Sequence, residues 1–121
     1  MKKIIVEFIE QKDQRYPTVG DYFDTDDAIH FKITRMSTQM FSVAILLHEI
    51  HEYFRLAEDG ISVEEIDKFD IDHPELEEPG DDPRAPYHKQ HLESSVIERA
   101  SIAMSGRLWS EYEKEIDSLF D

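Results

Sequence analysis

Four side chains within a span of five residues carry the chemistry of this sequence. His48, Glu49, His51 and Glu52 interrupt the largely apolar run Phe41-Ser-Val-Ala-Ile-Leu-Leu-His-Glu-Ile-His-Glu-Tyr-Phe-Arg55. On a helix, residues three and four apart share a face, so His48, His51 and Glu52 can converge on one point with Glu49 beside them. Imidazoles and carboxylates bind metals and carry protons. A hydrolytic zinc site takes three protein ligands, an open position for water, and a carboxylate to remove that water's proton. His48 and Glu52 supply two ligands from one helix face. Glu49 stands where the general base stands in the His-Glu-x-x-His metallopeptidase pattern; here the fourth position after His48 is Glu52, and His51 falls one residue early. The third ligand must come from elsewhere, and His88 and His91, one turn apart at the start of a later helix, are the candidates. The positive end of that helix favours neutral imidazole, the metal-binding form. The plainer alternative makes His48 and His51 partly exposed helix residues paired with nearby carboxylates. His73, ahead of a proline in an acidic loop, and His30, on the polar face of a strand, read as solvated.

The elements that position these groups follow from periodicity. Lys3 to Ile9 reads as a strand, Pro17 to Asp21 as a turn, Asp21 to Asp24 as a short strand, and Ala28 to Arg35 as a strand alternating Ile29, Phe31 and Ile33 with His30, Lys32 and Thr34. Together they predict a small antiparallel sheet. Ser37 or Thr38 caps a central helix that runs to Glu58 and stops at Gly60, with apolar residues on more than one side. Ser62-Val-Glu-Glu65 is a capping box that starts a short helix ending before Pro74. Asp70 to Pro86, rich in proline and carboxylates, must be a loop. Pro86 opens a helix through Leu92, Val96, Ile97, Ala100 and Ala103 to a Gly106 cap, and Leu108 to Phe120 form the last amphipathic helix. The fold expected is a single α+β domain over residues 1–121, its sheet packed on the long central helix and followed by two C-terminal helices.

Composition narrows the function. A formal net charge of −15 on 121 residues disfavours direct nucleic-acid binding. With no cysteine, thiolate metal sites and cysteine nucleophiles are excluded. No apolar run reaches the length of a membrane span, and Glu7 and Glu10 break the leading Met1-Lys2-Lys3-Ile4-Ile5 before a signal peptide can form. A cytoplasmic protein is expected.

His48-Glu49-Ile50-His51-Glu52, Gly60-Ile61 through Asp67-Lys68-Phe69-Asp70, Glu78-Pro79-Gly80-Asp81-Asp82-Pro83 and Pro86-Tyr87-His88-Lys89-Gln90-His91 together resemble a family of small uncharacterised proteins common in bacteriophage genomes. The resemblance spans roughly residues 17 to 105 and brings no established activity. By matching positions it implies His48, Glu52 and His91 over His51 and His88, associates Asp81 and Asp82 with the site, and implies the host cytoplasm as location. At a coarser level the strand ahead of a metal-binding helix is similar to the layout of zincin metallopeptidases.

The expected function is therefore a zincin-like hydrolase using Zn2+ or another divalent cation on a peptide or small-molecule substrate. His48, Glu52 and His91 bind metal, Glu49 is the general base, and Tyr87 stabilises the oxyanion. Two other readings compete. Glu49-x-x-Glu52 followed by Glu64-x-x-Asp67 resembles the acidic motifs of MazG-type nucleotide pyrophosphohydrolases, where paired carboxylates hold magnesium against phosphates. Alternatively, the run Glu64, Asp67, Asp70, Asp72, Glu75, Glu77, Glu78, Asp81 and Asp82 imitates DNA charge and blocks a host nuclease or defence protein without catalysis.

Overall fold

The computed structural model describes residues 2–120. Three strands, β1 (Lys3–Ile9), β2 (Gly20–Asp24) and β3 (Ala28–Thr34), are followed by four helices, α1 (Gln39–Glu58), α2 (Val63–Asp72), α3 (His88–Met104) and α4 (Trp109–Ser118). A 3-10 turn, Pro79–Asp81, lies between α2 and α3. The α+β architecture is the expected one. No helix among the described residues is long and apolar enough to cross a membrane.

The sheet departs from expectation in one respect: it is mixed. β2 and β3 form the anticipated antiparallel hairpin, Gly20 opposite Ile33 and Asp24 opposite Ile29, but β1 pairs parallel with β3, Lys3 opposite Ala28 and Ile9 opposite Thr34. β3 therefore lies in the middle, in the order β1-β3-β2. The cause is burial. Ile29, Phe31 and Ile33 are the large apolar strand residues that are buried, and their strand takes the position with a neighbour on each side. The connection from β1 skips over that position and is held at the strand ends by polar side chains. Gln14 Nε2 donates to the Lys32 carbonyl at 3.1 Å, Thr34 Oγ1 donates to Gln11 Oε1 at 2.8 Å, and Gln11 Nε2 donates to the Thr18 carbonyl at 2.7 Å. His30 is half-buried, stacked on Phe23 at 4.9 Å and bonded to Thr25 Oγ1, and so is less exposed than its strand pattern suggests.

The core joins the inner face of β3 to Met36, Phe41, Ala44, Ile45, Ile102 and Tyr112. Thr38 caps α1 by accepting from the Phe41 N–H at 3.2 Å, and Gly60, at φ +71°, takes the left-handed turn beyond its end. α1 packs on β2 and β3 along one side and on α3 along the other. Contacts between His48 and Glu98, His51 and Ser94, and Arg55 and Glu93 show α1 and α3 to be antiparallel. α3 begins at His88, two residues later than Pro86 suggests, because the turn that holds Pro86 is closed by the Ala85 N–H to the Asp82 carbonyl and the His88 N–H to the Ala85 carbonyl.

Candidate metal centre

Enclosure on two sides explains why polar groups of α1 lie inside. His48 and Glu52 are each only 7% exposed, and a buried charge persists only when it is paired. His48 Nε2 and His91 Nδ1 both lie 3.1 Å from Glu52 Oε2, and the two rings meet edge to face at 4.9 Å. Ligand atoms from His48, Glu52 and His91 all fall within 4.8 Å of one another, and this is the group that converges in this way among the described residues. Four-coordinate zinc, with bonds of about 2.0–2.1 Å, holds its ligands roughly 3.3 Å apart. Both approaches to Glu52 are already near that spacing, so the donor set fits a small divalent cation.

The outer nitrogen of each histidine is engaged as well. His48 Nδ1 is 2.8 Å from Glu98 Oε1, and His91 Nε2 is 3.0 Å from Asp81 Oδ1. Behind them, Tyr112 donates its hydroxyl to Glu98 at 2.5 Å, and Tyr22 donates to the other oxygen of Glu52 at 3.0 Å. A carboxylate on the far nitrogen fixes tautomer and ring orientation and makes the near nitrogen a better ligand.

Electrostatics follow from this packing. Burial acts against charge on His48, but its bonds to Glu52 and Glu98 outweigh it and hold the imidazole up at about 11. Burial likewise pushes the Glu52 carboxyl up, and the bonds from His48 and His91 overcome this and bring it down to about 2. His91 is shifted up by Glu52 against the same burial. These bonds favour protonated imidazoles, so metal binding there would be coupled to proton release. Glu49 forms no hydrogen bond among the described residues; burial and the neighbouring Glu52 carboxylate push it up to about 8. It lies against β2 so tightly that a Cβ at Gly20 would fall 2.6 Å from its Oε1.

The other candidates have different partners. His51 Nδ1 is 3.0 Å from Ser94 Oγ, and His88 Nδ1 donates to the Gly80 carbonyl at 2.9 Å. The third member of the converging group is thus His91. Asp81 reaches the site through His91, whereas Asp82 is held by a two-pronged bond from Arg84. His73 is half-buried, its ring tilted against Phe69 at 4.3 Å and lying 3.1 Å from Glu75. Tyr87 is packed with Leu56 and Ala85, and its hydroxyl donates to Asp70 at 2.5 Å. An oxyanion role for Tyr87 would require giving up that bond. Glu64 and Asp67 are exposed on α2 and do not join the converging group.

The chain matches no protein family, no curated protein and no solved structure.

Sequence reasoning missed Glu98, Tyr112, Tyr22 and the contact role of Gly80. One signal for Glu98 was present: it lies seven residues after His91, on the same face of α3. Gly80 presses its backbone on the His91 ring, where an added Cβ would fall 2.6 Å from the imidazole.

Proposed function

We propose that this chain is a metal-dependent hydrolase with zinc as its cation and a zincin-like division of roles. The observation that carries the reading is the doubly oriented donor set. His48 and His91 turn their inner nitrogens to Glu52 while Glu98 and Asp81 hold the outer ones. Two imidazoles and one carboxylate are the composition of known catalytic zinc sites, which keep a fourth position for water. A zinc ion there supplies Lewis acidity and lowers the pKa of a bound water. Glu49, adjacent to His48 and free of a hydrogen-bond partner among the described residues, serves as the base that takes the proton. Tyr22, already on Glu52, orients that carboxylate. The substrate class is an amide or ester of a peptide or small molecule, and the motif likeness to phage proteins supports a phage origin.

The test is elemental analysis of protein purified without a histidine tag, beside Glu52→Ala, followed by assays on peptide, amide and ester panels. One equivalent of zinc that is lost in Glu52→Ala, with turnover that disappears in Glu49→Gln while metal is retained, is the expected result. Metal content equal in wild type and Glu52→Ala overturns the reading.

The competing acidic-inhibitor reading makes the opposite prediction: neutralising the acidic loop abolishes function and His48→Ala spares it. Part of that acidic run is engaged within the chain, Asp70 with Tyr87, Asp72 with Lys68, Glu75 with His73 and Asp82 with Arg84, which favours the metal centre. Magnesium-dependent pyrophosphate release from nucleotides would instead support the MazG-type reading.

A further inference from the structure

We infer that the outer edge of β1 is a docking surface for a second copy of this chain, which pairs with it antiparallel and joins two three-stranded sheets into one of six strands. β1 ends the sheet on one side, and none of its residues is buried. α1 packs chiefly over β2 and β3, so the core-facing side of β1 is only partly covered. Ile4 is 42% and Phe8 37% exposed, flanking Val6, which reaches the core. An apolar edge strand with free backbone groups is a template for pairing, and natural proteins protect such edges unless they use them. β1 contains no proline, and its charged residues, Lys3 and Glu7, balance within a chain of net charge −15.

The backbone itself selects the register. The Ile9 carbonyl accepts from the Arg35 N–H at 2.7 Å, so the odd residues of β1 face β3. By alternation, Ile4, Val6 and Phe8 present their N–H and C=O groups outward. The Phe8 carbonyl is already capped by Arg35 Nη2 at 3.1 Å. Among the described residues, the rungs with both groups free are therefore Ile4 and Val6. Pairing Ile4 of each copy with Val6 of the other places Ile5 opposite Ile5 and Lys3 opposite Glu7, in the non-hydrogen-bonded positions where facing side chains are closest. The charge match is independent of the backbone groups that set the register, and it appears twice about the twofold axis. Glu7 then lies between Lys32 of its own copy and Lys3 of the other. A self-complementary pattern of this kind fits a second copy of this chain better than an unrelated strand.

The test is sedimentation equilibrium of the full chain without a tag, across concentrations, for wild type, Lys3→Glu, Glu7→Lys, the double exchange and Ile4→Pro. Wild type is expected to be dimeric at the upper concentrations. Each single charge change brings two like pairs face to face and should raise the dissociation constant about tenfold, with recovery in the double exchange. Ile4→Pro removes an outward N–H that the strand's own sheet does not use, so it should give a monomer with unchanged circular dichroism. If that variant loses its fold, the charge exchange decides alone. A wild type that stays monomeric at every concentration, or a dimer indifferent to Lys3→Glu and not restored by the double exchange, overturns the inference.

Discussion

Glu98 meets the outer nitrogen of His48 at 2.8 Å across fifty residues of sequence, and the same carboxylate accepts from Tyr112 at 2.5 Å. The helix that carries His91 thus also supplies the group that orients His48, so α3 contributes to both ends of the donor set. Glu98→Gln keeps the size of the side chain but removes the charge that steadies the imidazole. It is expected to weaken zinc binding about 10- to 100-fold, read by competition with a chelating dye. Glu98→Ala should add a stability loss of about 1–3 kcal/mol, because the Tyr112 hydroxyl is left without an acceptor. Chemical denaturation of the two ion-free variants separates these effects.

Gly80 tests the other side of the site. Its backbone lies against the His91 ring, and a Cβ placed there would approach Cγ to 2.6 Å, a distance that forces either the turn or the imidazole to move. Gly80→Ala is expected to cost about 1–3 kcal/mol and to weaken zinc binding, because the Asp81 bond to His91 shifts with the turn. Gly60→Ala, strained by its positive φ but with open space around it, should lose stability without the metal defect.

Acid should loosen the loop that carries Asp81. The hydrogen bonds from the Arg84 side chain and backbone hold the neighbouring Asp82 carboxyl down at about 2. A folded-state value below the unfolded one stabilises the loop above the unfolded pKa, and that contribution is lost as pH falls from about 4 toward 2. The carboxyl resonance of Asp82 is expected to titrate near the lower value in wild type and to return toward the ordinary aspartate range in Arg84→Ala. Amides of the Pro79–Asp81 turn should lose exchange protection over the same interval.

Much of this arrangement was legible in the sequence for a local reason. The capped 20-residue α1 and the Gly60 stop depend on neighbours along the chain, and so does the placing of His48 and Glu52 on one face. The parallel pairing of β1 was not legible, because it depends on which strand wins the central position, a competition among distant segments. Nor did local pattern alone separate His88 from His91: both lie at the start of one helix, and the Gly80 carbonyl and the Asp81 carboxylate divide them only after the loop has folded back. Glu98 and Tyr112 escaped notice because a charged residue and an aromatic on amphipathic helices ordinarily mean solvent face and core. The pairing of Glu98 with His48, and of Tyr112 with Glu98, appears only in the tertiary structure.

Metal removal should reveal which histidines belong to the centre. A ligand that binds only the native state stabilises it by about 2.7 kcal/mol at one hundred times its dissociation constant, worth about 10 °C of melting temperature in a domain of this size. Wild-type protein is therefore expected to melt higher with zinc than after treatment with a chelator. His91→Ala should lose that difference, since His91 Nδ1 faces Glu52 at 3.1 Å. His51→Ala should keep it, because His51 is turned to Ser94. Glu52→Ala is the severest case, since it strips His48 and His91 of their shared acceptor and Tyr22 of its partner. Removing one member of a buried ionic set costs about 3–5 kcal/mol, so this variant should be destabilised even without metal and indifferent to zinc. Equal zinc-dependent shifts in His51→Ala and His91→Ala would mean that the ion sits elsewhere.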